Sequence, residues 1–307
     1  MRNIDKQGVV GSPLIGDAKE FVIIPESIIK NNDVDTKRVA AYIYFWLWAG
    51  RNRQVTYTVE HLVSWCGYVP NPHKDKSDEQ FMNLTSWLSD IGYISHDKKK
   101  NENADSKKPY TTLLIADLHA DWYKSATESN RFTILYLDEI DKIMNYDCGK
   151  KSKSLTNSNI LLVFAFLRLQ MPIRNSTEGE SQEKRLAMPE VFYSYYKDIS
   201  MELGINEKTL SSILKILSSE LELIYMQRIK REESKGKDGT SKWTTFPTFF
   251  CNRYKRLQGK LMYSGFNYYN YEIQNKINKT NFNNFEKVNT KVEDSETGVD
   301  ITWLDNI

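Results

Sequence analysis

The sequence predicts an α+β fold, mainly α with small β-hairpins, built as two tandem units and followed by a flexible tail. Three observations predict it. The chain has 307 residues, enough for about two domains at roughly 100–200 residues each, both able to bury a core. The same order of elements appears twice between Asp35 and Phe250: helix, short helix, turn, helix, strand, basic loop, strand. A repeated plan of this kind identifies an architecture better than any single segment. From Lys260 onward the composition changes to five lysines against seven acids, with nine asparagines and few aliphatic residues. Such a stretch resists packing into a core. The predicted boundaries are 15–125, 126–258 and 259–307.

In the first unit, DTKRVAAYIYFWLWAG places Val39, Tyr42, Phe45, Trp46 and Ala49 at helical spacing, which predicts a helix buried along that face. Thr58 is the expected N-cap of the short helix VEHLVSWCG, and Gly67 its end. The prolines of VPNPHKDK forbid helix until about Ser77. From there SDEQFMNLTSWLSDIGYI puts Phe81, Leu84, Leu88 and Ile91 on one face, and Gly92 stops the helix. YIS and PYTTLLIADL read as strands flanking the lysine-rich run 97–108, a hairpin with a long basic tip.

The second unit repeats the pattern. SNILLVFAFLRLQM is a buried helix, too short and too interrupted by Arg168 to span a bilayer. VFYSYYKDISMELGI gives a short strand and a helix that Gly204 ends. Asn206 then caps a helix with Leu210, Ile213, Leu214 and Leu217 inward. A strand over 223–229 and WTTFPTFF enclose REESKGKDGTSK. That run, together with 97–108, 149–159 and 175–185, is expected to be exposed loop.

DISMELGINEKTLSSILKIL resembles a helix-turn-helix: an apolar first helix, a glycine at the turn, a polar cap, and a second helix with one polar face free. The hairpin behind it extends the resemblance to a winged helix. YTVEHLVSWCGY plus SDEQFMNLTSWLSDIGYI resembles the same motif with extra residues in its turn. Tandem winged helices in a Lys-, Asn- and Tyr-rich chain, with F-x-I-I-P at Phe21–Pro25 and a helix ending in FWLWAG, resemble the replication initiators of plasmids, phages and other mobile elements of low-GC bacteria. The resemblance implies binding to repeated double-stranded DNA sites and recruitment of host replication proteins. The acidic, aromatic end VEDSETGVDITWLDNI is suited to dock on such a protein, with an unstructured terminus as the alternative reading. A transcriptional regulator and a protein-interaction scaffold use the same parts and stand as alternatives.

The major groove admits one helix, whose first turns present polar side chains to base edges. In the second unit these are Asn206, Lys208, Thr209, Ser211, Ser212 and Lys215. In the first they are Lys74, Lys76, Ser77, Gln80 and Asn83. Basic hairpin tips suit phosphates, which selects Lys98, Lys99, Lys100, Lys107 and Lys108 in the first unit and Arg228, Lys230, Arg231, Lys235 and Lys237 in the second.

Other functions find less support. Charged residues are 27%, mean hydropathy is −0.57 and net charge is +2, values of a globular chain without a membrane span. The polar N-terminal residues lack the apolar stretch of a signal peptide, so a cytoplasmic protein is expected. Cys66, Cys148 and Cys251 are too scattered for disulfides or zinc, and no metal or cofactor is expected. CGKKS lacks the earlier glycine of a phosphate loop. The acids of LDEIDK suit the first turn of a helix. YSYY comes without the paired histidines of a nickase. No catalytic constellation survives, and the chain is read as a non-enzyme.

Overall fold

The computed structural model describes residues 21–31, 33–50, 52–96, 101, 108–119, 131–149, 155–171, 191–228, 232–235, 241–244 and 247–252. The fold is mixed α+β, with eight α-helices and small antiparallel sheets among the described residues. Its core is one continuous cluster drawing on both halves of the chain. Among the described residues no helix is long and apolar enough to cross a membrane. The predicted tail lies outside the described residues.

At the centre is a two-stranded ribbon of β1 (Phe21–Pro25) and β5 (Phe132–Tyr136). Neither strand is legible from periodicity, because short apolar runs carry no alternating signal. Phe21 pairs with Tyr136, Ile23 with Ile134 and Pro25 with Phe132. FVIIP and FTILY occupy matching places in the two halves, so Ile23 meets its own counterpart and the ends exchange partners. This is the isologous pairing of a two-fold, formed inside one chain. Side chains cover the outer edges: the Tyr42 hydroxyl donates to the Ile23 carbonyl at 3.1 Å, and Arg168 Nη1 donates to the Ile134 carbonyl at 3.4 Å. Covered edges do not recruit further strands.

Each ribbon strand runs into a helix, α1 (Glu26–Ile29) or α5 (Leu137–Met144), and then into a long one, α2 (Arg38–Trp48) or α6 (Asn157–Gln170). The sequence predicts one buried face for α2. In the structure every residue from Arg38 to Leu47 is buried, because α2 packs against α1, α3, α4, α6, β1 and β2 (Gln54–Tyr57). The start of α6 also differs from expectation. Thr156 Oγ1 accepts the Asn159 N–H at 3.3 Å, so the end of the predicted 149–159 loop is helix. Inside this core Arg38 donates from Nε to the Ile28 carbonyl at 2.8 Å and from Nη2 to that of Ile29 at 2.7 Å. Those are carbonyls that the end of α1 leaves unpaired. Burial pushes the Arg38 pKa down to about 10.

The two halves then build the same sheet. In the first, β2, β3 (Ile94–His96) and β4 (Leu114–Leu118) lie in the order β2-β4-β3. In the second, β6 (Val191–Ser194), β7 (Ile224–Arg228) and β10 (Thr248–Asn252) lie in the order β6-β10-β7. Part of the predicted loop 231–242 is strand: β8 (Glu232–Lys235) pairs with β9 (Ser241–Thr244). The two helices of each half lie between its first and second strands: α3 (Val59–Trp65) and α4 (Ser77–Asp90), then α7 (Tyr196–Leu203) and α8 (Glu207–Lys215).

The halves align residue by residue. Buried Phe81, Leu84, Thr85 and Leu88 of α4 recur at one constant separation as buried Leu210, Ile213, Leu214 and Leu217. The following Gly92 and Ile94 recur one residue further on, as Glu222 and Ile224. The extra residue is absorbed in the wide turn Ile216–Glu220, where the Leu221 N–H reaches back five residues to the Ile216 carbonyl at 2.8 Å. A π-turn is the usual way to house a single insertion in a helix. Gly92 has φ +79°, but Glu222 adopts φ +52° with a side chain attached. Glu222→Gly is therefore expected to raise stability by about 1 kcal/mol, the typical cost of a Cβ in the left-handed region, measured by urea unfolding. Ile91, predicted inward, is 40% exposed, because it already follows the last turn of α4.

Two histidines make the first unit sensitive to acid. The Tyr57 hydroxyl meets His96 Nε2 at 2.8 Å, and the Tyr44 hydroxyl meets His61 Nδ1 at 2.7 Å. Burial lowers the pKa of both rings from 6.5. The unfolded chain then binds more protons than the folded one, so stability is full above about pH 6.5 and falls as pH drops below it. Thermal melts from pH 7.5 to 5 are expected to show this decline, and His96→Gln is expected to lessen it, with His61 keeping its share.

Candidate nucleic-acid interface

Helix α8 owes its position to local sequence. Gly204 ends α7 in the left-handed conformation, φ +67°, which costs a glycine little. Two residues later Asn206 Oδ1 accepts the Lys208 N–H at 2.9 Å. Ile199 and Leu203 of α7 and Leu210, Ile213 and Leu214 of α8 are buried, which locks the two helices together. The opposite face of α8 is left to solvent: Asn206, Lys208, Ser212 and Lys215 are exposed, and Thr209 and Ser211 are half-buried. Ser212 Oγ donates to the Lys208 carbonyl at 3.1 Å, leaving its lone pairs outward. Among the described residues neither Lys208 nor Lys215 is in an ion pair. The six predicted residues of the second unit therefore lie on one short helix. Asn206 serves as the cap, and the two lysines stand two turns apart on the outward side.

The candidates of the first unit share a region but not a role. Lys74 and Lys76 are exposed in the turn before α4. Ser77 Oγ donates to the Val69 carbonyl at 2.7 Å, which fixes that turn. Both ends of the Gln80 amide are occupied: Oε1 accepts from Lys37 Nζ at 3.1 Å, and Nε2 donates to the Asp75 carbonyl at 3.1 Å. Asn83 is exposed on α4. By the alignment of the halves, Glu79 stands where α8 has Lys208, and Ser86 where it has Lys215.

The hairpin candidates are only partly visible. Lys108 is exposed at the base of the β3–β4 connection. Arg228 ends β7 and Lys235 ends β8, and the backbone ladder β8–β9 lengthens the β7–β10 hairpin. Lys98, Lys99, Lys100, Lys107, Lys230, Arg231 and Lys237 lie outside the described residues. One anchor of the first hairpin was not found by sequence reasoning. Asn101 Oδ1 accepts the Ile115 N–H at 2.9 Å, and Asn101 Nδ2 donates to the Ile115 carbonyl at 3.0 Å. A lone asparagine in a polar run carries no signal of such a clamp.

Of the side chains weighed for other chemistries, Glu139 and several aromatic residues lie in the core. Glu139 pairs with Arg168 at 2.6 Å, both buried. Tyr42, Tyr44 and Phe45 are fully buried, as core packing of the aromatic residues requires. Tyr193 and Tyr195 are exposed. All three cysteines are free thiols. Among the described residues no group of three or more His, Cys, Asp or Glu side chains is placed to hold a metal ion. No family model, no curated protein and no solved structure matches the chain.

Proposed function

We propose that the protein is a sequence-specific double-stranded DNA-binding protein that initiates replication of a mobile genetic element, its two units being tandem winged helices. The observation that carries this reading is the order helix, strand, two helices and hairpin, used twice with the same sheet order. In the second unit it leaves the capped helix α8 with a free Lys208/Ser212/Lys215 face. Winged helices use such a helix in the major groove and the hairpin on the backbone. Affinity comes from binding alone: phosphate contacts position the protein, and base-edge contacts select the site.

Selection of genomic duplex fragments by the purified protein at about 150 mM salt, where non-specific binding is suppressed, tests the reading. Enrichment of a repeated site is expected, together with replication in a host of a plasmid that carries that site and this gene. Enrichment without replication would move the assignment to a transcriptional regulator. No enrichment would move it to a protein-interaction scaffold.

A further inference from the structure

We infer that the two units divide the work: α8 reads the sequence, whereas the first unit grips phosphates through the turn Asn71–Lys76 and its helix α4 reads no bases. This rests on the DNA-binding reading above. Helix α4 contains Asp78, Glu79 and Asp90 and no basic residue, so its field opposes entry into a groove lined by phosphates. One of its amides is also engaged elsewhere. Gln80 is held at both ends, as described, whereas Ser86 makes the same bond to the carbonyl four residues back as Ser212 does in α8. Of the outward positions matching the α8 face, only Asn83 offers a free amide, and one side chain is thin support for a readout helix.

The turn before α4 is built differently. The Asn71 N–H donates to buried Asp78 Oδ1 at 2.8 Å, the His73 N–H to Asn71 Oδ1 at 3.1 Å, and the Asp75 N–H to Glu79 Oε2 at 2.5 Å. Together with the Ser77–Val69 bond these fix a loop in which Asp75 takes φ +58°. Lys74 and Lys76 project from it exposed, and among the described residues neither is in an ion pair. Lysine is a compact charge on a flexible stem, well suited to phosphate, and these two stand on the turn ahead of the helix rather than in its first turns, as Lys208 does. A rigid turn carrying these two cations against the one exposed carboxylate of Asp75 is a backbone clamp. The acids of α4 help to hold that turn in shape.

The test uses the full-length protein and the duplex it selects, with every base pair of the site varied in turn. Lys74→Ala with Lys76→Ala is expected to weaken matched and mismatched duplexes by the same factor. It is also expected to reduce the slope of log affinity against log salt by about 2, one for each lost phosphate contact. Asn83→Ala is expected to leave the preferred sequence unchanged. A changed base preference in either variant, or an unchanged salt slope in the first, overturns the division of labour. Failure of the wild-type protein to select any duplex overturns the DNA-binding reading itself and is seen before any variant is made.

Discussion

On the DNA-binding function proposed above, replacing Lys208 and Lys215 by alanine is expected to cut the preference for the selected duplex by about 5- to 150-fold without changing the unfolding transition. Lys208 lies in the first turn of α8, and a good base-edge contact from such a position is worth about 1–3 kcal/mol of discrimination. Lys215, two turns on, is assigned to the DNA backbone by the same proposal, and its loss should reduce the salt slope by about 1. Both side chains are exposed, and surface substitutions of this kind usually change stability by less than about 0.5 kcal/mol. Fluorescence anisotropy on matched and scrambled duplexes, with a thermal melt of each variant, separates lost contacts from lost folding. Unchanged selectivity in the double variant would remove α8 as the reading helix. Asn206→Ala serves as the contrasting control, because Asn206 Oδ1 is committed to the Lys208 N–H. Its loss should appear first as about 1 kcal/mol of stability.

Glu139→Ala is expected to be the most destabilising of these substitutions, by about 3–5 kcal/mol, the usual cost of leaving one member of a buried ion pair without its partner. Arg168 and Glu139 are 2.6 Å apart and both buried. The same guanidinium covers the β5 edge and lies 4.9 Å from the Phe164 ring. The pair therefore ties α5, α6 and the central ribbon together. The melting temperature should fall by about 10 °C. Replacing both partners, Glu139→Leu with Arg168→Met, should recover most of the loss, since two apolar groups of similar volume leave no buried charge. A single variant that melts like the wild type would show that the pair contributes nothing to the core.

Local signals determined most of the helices. Thr58 and Asn206 are the caps that the sequence indicates, and each accepts a backbone N–H. Gly67, Gly92 and Gly204 all adopt positive φ where the hydrophobic period breaks. The inward set Leu210, Ile213, Leu214 and Leu217 is buried as the 3.6-residue spacing requires. Each of these features depends on residues within a few positions of one another, and that is the range over which caps, glycines and helical periods act.

The sequence was less informative about the candidate site. It identified α8 and its outward residues because polarity on an amphipathic helix is a local property. It could not distinguish the roles of Gln80 and Asn83, which have similar amides on the same helix. The difference is made by Lys37, distant in sequence, which reaches Gln80 and leaves Asn83 alone.

By itself, then, the sequence determined most of the helices, several of their ends, the repeated order of elements and the polar face of α8. Only the tertiary structure decided that β1 and β5 form a ribbon centred on Ile23 and Ile134, that β2 joins the first sheet, and that α2 is buried on every side. It also decided that the Gln80 amide of α4 is engaged at both ends. The physical reason is range. A strand gains its hydrogen bonds from a partner far along the chain, and a side chain is free or occupied according to which distant element packs beside it. Neither is encoded in the few residues around it.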